Sequence, residues 1–394
     1  MNPQNMRVQV AIIGGGPSGL LLGQLLCKAG IETVVLERKT REYVLTRVRA
    51  GVLERGLVDL LDQVGAAQRL KAESFTHDGT VFSVDGSHFN IPFSKYTSKP
   101  VTVYGQTELT RDLYDVRESS GAKTLFNVDN VTLNDLKSDT PSVDCTVDGI
   151  AMHIDCDYIA GCDGYHGVSR QHIPVDVRNE FEKVYPFGWL GIMSETKPVN
   201  DELVYANSER GFALCSMRNE NLCRYYVQCE TSDSTDRWTD TMFWDELKRR
   251  IPEQFADTLE TGPSIEKSIA PLRSFVCEPM QWGRLYLCGD AAHIVPPTGA
   301  KGLNTAASDV HYLSTALKQH YLDKDSAALA TYSQTALARV WKVERFSWWM
   351  TSVLHRFPED SAFDLKIQKA ELDFLRENES AQASLAQNYV GLPY

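Results

Sequence analysis

The chain has no Cys-x-x-Cys pair, no histidines at ligand spacing, no excess of positive charge and no long unbroken apolar run. Each absence removes a class. Nine cysteines, odd in number and scattered, exclude a disulfide framework and read as the reduced thiols of a cytoplasmic enzyme. Nine equally dispersed histidines leave no metal site to expect. With 40 Lys and Arg against 52 Asp and Glu, the net charge of −12 disfavours nucleic acid or an anionic membrane as partner, so any anionic ligand has to meet local cations. Residues 8–27 are uncharged and follow Arg7. Gly14 to Gly19 interrupt them, no small-residue cleavage pattern appears and an acid-ended strand follows, so neither a membrane span nor a signal peptide is expected. No repeat or low-complexity segment is present, and the 43% hydrophobic content suffices for a sizeable core in two or three lobes.

What is present begins with Gly14-Gly15-Gly16-Pro17-Ser18-Gly19-Leu20, directly after the apolar run Val8 to Ile13. Strand, glycine turn and helix together make a dinucleotide cradle. Gly14 permits the tight turn, Gly16 lets backbone approach a pyrophosphate, and Gly19 lets the helix from Leu20 to Ala29 pack close on the strand. A second strand, Thr33 to Leu36, ends at Glu37, the spacing that suits a carboxylate on a ribose hydroxyl. The competing reading is a Rossmann-like unit without ligand. Arg38, Lys39, Arg41, Arg47 and Arg49 then crowd a short segment that holds only one further acid, Glu42, which is a local anion site or a solvated loop.

Further along, Gly51 to Val64 has the periodicity of an amphipathic helix, residues 78–103 alternate short strands with turns, Gln106 to Glu118 is helical in pattern, and 125–162 is strand-rich. From about residue 181 aromatic residues become dense in alternating runs such as Cys223-Arg224-Tyr225-Tyr226-Val227-Gln228, which predicts an antiparallel sheet. Residues 240–260 read as helical, Arg284 to Asp290 as a buried strand, and Thr305 to His320, Ser326 to Phe346 and Phe363 to Leu385 as helices. The expected fold is α/β (α+β): a Rossmann-like domain over 1–180 with an excursion at 78–103, an antiparallel β-sheet substrate domain over 181–276, and 277–394 closing the first domain and ending in a helical region used for dimerisation.

Three separated pieces converge: the glycine turn, Gly161-Cys162-Asp163-Gly164, and Gly289-Asp290-Ala291-Ala292-His293 with Pro296-Pro297-Thr298-Gly299. In this combination the chain resembles the single-component flavoprotein aromatic hydroxylases. The likeness is carried also by Tyr104-Gly105-Gln106-Thr107, Tyr185 to Leu190, Gly211 to Ser216, Ile294 to Asn304, Glu344 to Met350 and Asn388 to Tyr394. It implies an FAD-dependent monooxygenase that takes 4-hydroxybenzoate to 3,4-dihydroxybenzoate with NADPH and O2 through a flavin C4a-hydroperoxide, and that forms a homodimer.

The resemblance also implies roles for individual residues. Gly14, Gly16, Ser18 and Gly19 would hold the FAD pyrophosphate and Glu37 the adenosine ribose. Arg47, Val48, Arg49, Ala50, Gly51, Val52 and Gln106 would line the phosphate and ribityl region, Asp290 would hold the ribityl chain, and the amides of Leu303 and Asn304 would face the pyrimidine edge. Ser216-Met217-Arg218 on a strand puts a hydroxyl and a guanidinium on one face, where Arg218 can fork a carboxylate, with Tyr226 as a third donor. Tyr205 is implied on the substrate hydroxyl with the Pro297 carbonyl as a further acceptor, Tyr389 behind it, and His77 at the far end of a proton path to solvent. Arg38, Lys39, Arg41, Tyr43, His166 and Arg273 are implied at the nicotinamide nucleotide, whose extra cations favour NADPH while leaving NADH open. The alternatives are a hydroxylase of another phenolic acid such as 3-hydroxybenzoate and a nucleotide-binding module without activity.

Overall fold

The structure, a computed structural model, describes residues 4–46 and 51–394. Arg47, Val48, Arg49 and Ala50, expected in the cofactor set, lie outside the described residues. Val10–Ile13 is buried throughout and sits inside a six-stranded sheet ordered Gln281–Trp282, Leu285–Leu287, Tyr158–Gly161, Val10–Ile13, Thr33–Leu36, Lys123–Leu125. Every pairing but the first is parallel. Its unbroken apolar strands are what a parallel sheet covered on both faces requires. The helix Pro17–Lys28 packs on it with Leu20, Leu21, Leu22, Leu25 and Leu26 all buried.

An eight-stranded sheet forms the second layer, ordered His293–Ile294, Ser264–Glu278, Asn179–Ser194, Leu222–Glu230, Gly211–Asn219, Val204–Ser208, Gly79–Val84, Ser87–Pro92. It is antiparallel except where Val204–Ser208 runs parallel to Gly79–Val84. Alternation divides its residues between two faces. Leu190, Val204, Ala213, Cys215, Tyr225 and Val227 pack under the helices Asp240–Arg250 and Glu253–Thr258 through Phe243, Trp244 and Leu247. Phe82, Trp189, Tyr205, Phe212, Leu214 and Tyr226 face the other way, toward Phe346, Met350 and Tyr389 of the C-terminal helices.

Several element limits differ from the sequence reading. Val52–Leu53 is a short strand paired with Val101–Val103, and the helix begins only at Arg55; tertiary pairing overrides an apolar period that is compatible with either state. The helix expected to stop at Phe346 runs from Ala327 to Leu354, since no Gly or Pro intervenes before Pro358. The helix expected over 363–385 is two, Ala362–Glu377 and Glu379–Val390. Asn378 leaves helical backbone and accepts the Ala381 N–H, so it ends one helix and caps the next. Arg38 to Thr40 precede the short helix Arg41–Leu45 instead of riding on it, with Thr40 as its cap.

Candidate active site

The glycine turn has the shape of a phosphate cradle. Gly14 takes φ +108°, and a Cβ there would lie 2.3 Å from the Cys162 carbonyl oxygen; a Cβ on Gly19 would lie 2.0 Å from the Gly14 oxygen. Both positions are closed to side chains, whereas nothing stands within 4 Å of a Cβ on Gly16. Pro17 opens the helix, and the Ser18 and Gly19 amides of its first turn point out of the helix end, where a phosphate is favoured. Glu37 accepts the Gly15 N–H and the Lys39 N–H, each at 2.8 Å. That fixes its carboxylate beside the turn with lone pairs left for a ribose hydroxyl. The residues present therefore fit a dinucleotide.

The remaining cofactor candidates gather at the same edge. Gly289 brings its loop against Ser18, with Ser18 Oγ 3.0 Å from where a Cβ would stand, and leaves Asp290 exposed. Gln106 opens the helix Gln106–Ser119. Asn304 is buried: Nδ2 donates to the Val52 and Ala300 carbonyls at 2.9 and 3.0 Å, and Oδ1 accepts the Glu54 N–H at 2.8 Å. Its side chain thus stitches Val52 to the start of the helix Gly302–Lys318, whose first-turn amides, Leu303 and Asn304 included, form a positive end. Asp163 Oδ2 accepts the Ser169 N–H and Oγ–H, both at 2.9 Å, which ties one oxygen of this carboxylate to its own loop, while Oδ1 is buried without a hydrogen-bond partner among the described residues.

The substrate candidates share one face of the eight-stranded sheet. Cross-strand pairing places Gly191, Tyr226, Leu214, Tyr205 and Phe82 in a single row, with Met193, Arg224 and Ser216 in the next. Arg218 follows two residues after Ser216, at the point where the pairing with Leu222–Glu230 shifts register between Met217 and Asn219. A Cβ on Gly191 would stand 2.7 Å from the Tyr226 ring, so the glycine makes room for that ring. Arg218 is half-buried, its Nε is buried without a hydrogen-bond partner, and burial pushes the guanidinium below its ordinary range. Arg224 lies near enough to add like-charge repulsion; it pairs with Glu266 at 2.8 Å, whose charge also reaches Arg218, while Arg218 itself makes no salt bridge among the described residues. Ser216 Oγ donates to the Arg224 carbonyl at 2.9 Å, so a ligand reaches this hydroxyl as donor only after rotation.

Tyr205 and Tyr389 are both buried and joined Oη to Oη at 2.7 Å. Burial raises both phenols above their usual range, which keeps them neutral. His77 is buried on the strand Phe75–His77, with Nδ1 2.9 Å from Glu202 Oε2. Among the described residues no direct hydrogen bond joins His77 to Tyr389. The Pro297 carbonyl already accepts the Ala300 N–H at 2.9 Å and keeps one lone pair.

The nucleotide candidates fall into two groups. Lys39 stands over the Tyr43 ring and Arg38 is exposed beside it, while Arg41 is tied to Asp115 and Glu118 of the helix Gln106–Ser119 and is not offered to a ligand. His166 and Arg273 flank the Tyr165 ring, and Arg273 also pairs with Glu182 at 3.0 Å. The sequence reading missed four charged residues. Arg224 shares the parity of Tyr226 in a run already singled out, which was a usable signal. Lys301 is buried with Nζ 2.7 Å from both Glu54 Oε1 and the Tyr389 carbonyl, and Arg339 holds Glu54 Oε2 at 3.1 Å. Lys301 and Arg339 share this one carboxylate, and burial draws the Lys301 ammonium below its ordinary range. Among the described residues no group of three or more His, Cys, Asp or Glu could hold a metal, and no helix is long and apolar enough to cross a membrane.

Comparison with known proteins agrees with this layout. The profile of the FAD binding domain family matches residues 7–347. The chain is 54% identical over 392 residues to the p-hydroxybenzoate hydroxylase of Acinetobacter baylyi (strain ATCC 33305 / BD413 / ADP1), covering 99% of this chain and 97% of that one. It is 25% identical to the 6-hydroxy-3-succinoylpyridine 3-monooxygenase HspB of Pseudomonas putida (strain DSM 28022 / S16), covering 80% of each. Among solved structures, p-nitrophenol 4-monooxygenase PnpA from Pseudomonas putida DLL-E4 shares the fold with a TM-score of 0.83 at 15% identity, over 99% of this chain and 100% of that one.

Proposed function

The chain belongs to the FAD binding domain family, and from that premise we propose that it hydroxylates 4-hydroxybenzoate at C3, consuming NADPH and O2 and yielding 3,4-dihydroxybenzoate. The observation that carries this reading is the unpartnered Arg218 Nε, within electrostatic reach of Tyr226, on the strand that also carries Ser216 and that pairs with the strand of Tyr205, itself bonded to Tyr389. A carboxylate forked by Arg218, with Ser216 and Tyr226 as further donors, directs the phenol at the other end of the ring toward Tyr205.

FAD would be held by the turn Gly14 to Gly19, Glu37, Gly51, Val52, Gln106, Asp290, Leu303 and Asn304, with residues 47–50 adjoining, and when bound it supplies the reduction by NADPH and the activation of O2. The chain's own residues do the rest. Tyr205 accepts the phenol proton and steadies the developing phenolate, which raises electron density at the ortho carbon. Tyr389 takes up the displaced hydroxyl proton, and solvent connects it with His77. Phe82, Trp189, Phe212 and Leu214 line the face and keep water off it. Arg38, Lys39 and Tyr43, with His166 and Arg273, receive NADPH; Arg41 docks the helix Arg41–Leu45, which carries Tyr43, onto Asp115 and Glu118.

All nine cysteines are free thiols, which supports a reducing, cytoplasmic setting. Phe363, Ile367 and Phe374, 71%, 54% and 54% exposed, share one face of the helix Ala362–Glu377 and support a homodimer formed there. Purified yellow holoenzyme, supplied with NADPH and a panel of hydroxybenzoates, tests the activity: 4-hydroxybenzoate should stimulate NADPH oxidation and give 3,4-dihydroxybenzoate. Preference for 3-hydroxybenzoate, or no product from either, would defeat the reading.

A further inference from the structure

His77 is sealed from solvent, with 2% of its side chain exposed, whereas the Glu202 side chain beside it is 21% exposed. A proton that reaches the imidazole has water on the far side of Glu202. Both carboxylate oxygens are held in position, since Oε1 accepts the Asp78 N–H at 3.0 Å and Oε2 faces His77 Nδ1 at 2.9 Å. Neither Oε2 nor Nδ1 has another hydrogen-bond partner among the described residues. The segment is stitched in place because the Leu203 carbonyl accepts both the Val81 N–H at 2.9 Å and the Thr80 hydroxyl at 3.2 Å. Glu202 lies three residues before Tyr205 in sequence, and its charge is felt at the Tyr389 phenol.

We propose that Glu202 is the outlet of the proton path, the group through which the substrate's phenolic proton passes from His77 to bulk water; this rests on the activity proposed above. The phenol O–H bond breaks with its electron pair retained on oxygen. Tyr205 takes that proton as its own moves to Tyr389, and the chain of exchanges ends with one proton delivered by Glu202 to water or a buffer base; no electron is transferred. Around the outlet stand Asp78, whose Oδ2 accepts the Ser94 hydroxyl at 2.6 Å, the neutral Tyr389 phenol, His77 and the exposed Asp201. Histidine is the side chain suited to exchange protons near neutral pH, and a carboxylate contact is what orients one.

The alternative is an ion pair of structural value alone, and the two roles separate in one experiment. Oxidised holoenzyme with bound 4-hydroxybenzoate is jumped in pH in a stopped-flow instrument, and phenolate absorbance reports deprotonation for wild type, Glu202→Gln and Glu202→Asp. The Gln variant should deprotonate about tenfold or more slowly, with unchanged substrate affinity and unchanged final amplitude. Glu202→Asp should recover most of the rate, and added imidazole should accelerate the Gln variant because the outlet is partly exposed. A Gln variant as fast as wild type overturns the inference, as does equal slowing in Gln and Asp without rescue by imidazole. Wild-type enzyme that releases no proton from 4-hydroxybenzoate overturns the proposed activity and this inference with it.

Discussion

Replacing Arg218 by methionine should move ligand-free stability and ligand affinity in opposite directions. In the free protein the guanidinium is half-buried, its Nε is unpartnered and Arg224 repels it. Methionine fills much of the same space without charge, so the ligand-free protein should be as stable or more stable, by about 1 kcal/mol, the cost of leaving a buried donor unmade. With ligand the sign reverses. Losing a charge-assisted hydrogen bond costs about 2 kcal/mol, roughly thirtyfold in dissociation constant. At a ligand concentration 100 times the wild-type dissociation constant, binding stabilises wild type by about 2.7 kcal/mol and the variant by only about 0.9 kcal/mol. For a chain of 394 residues these amount to melting shifts of about 3 °C and about 1 °C. Thermal melts with and without 4-hydroxybenzoate, with titration of flavin fluorescence, read both effects. Unchanged affinity would remove Arg218 from the site, and a ligand-independent fall in Tm would show that its guanidinium is structurally satisfied.

Tyr205→Phe should bind substrate and still oxidise NADPH, but 3,4-dihydroxybenzoate per NADPH should fall sharply because the ring is no longer activated; full product yield would contradict the role. His355 is stacked on Phe187 and Phe212 and accepts the Trp189 Nε1–H at 2.7 Å, and burial pushes its imidazole down to about 3. Because an unfolded histidine protonates near 6.5, its stabilisation is complete above that pH and is lost on acidification at up to about 1.4 kcal/mol per pH unit. Urea midpoints at pH 7 and pH 5 should therefore converge between wild type and His355→Gln; parallel losses would refute this. Lys39→Ala should raise KM for NADPH more than for NADH, an effect that shrinks with salt. Arg41→Ala, which frees Asp115 and Glu118, should lower stability and affect both nucleotides alike; release of FAD from the Lys39 variant would place that cation on the flavin side.

The parts of this molecule that could be read from sequence are those whose cause is local. Gly14, Gly16 and Gly19 differ in their steric needs within one turn, and Ser216 and Arg218 lie together on the strand expected of them. Helix limits failed where a distant partner decides: Val52–Leu53 is a strand because Val101–Val103 pairs with it. Asn378 was different, since an asparagine ahead of Glu379 is a legible cap that the apolar period concealed. Lys301 and Glu54 lie 247 residues apart, and no pattern in either neighbourhood announces their bond. The bond of Asp163 to Ser169 is equally silent, since a glycine-flanked acid at a strand end does not announce its loop partner.

The strand order of the six-stranded sheet also governs how the protein can be made. Val10–Ile13 gains one neighbour at once in Thr33–Leu36, but its other edge waits for Tyr158–Gly161, which in turn waits for Leu285–Leu287. During synthesis the strand that leads into the phosphate turn therefore leaves the ribosome early and stays half-paired while well over a hundred residues are added. An apolar strand with an open edge is a template for pairing with another chain, and non-local closures of this kind are slow. Yield of soluble protein should then depend on what shields that edge, whether a chaperone, a slower rate of synthesis or a lower temperature, more than on the stability of the finished fold.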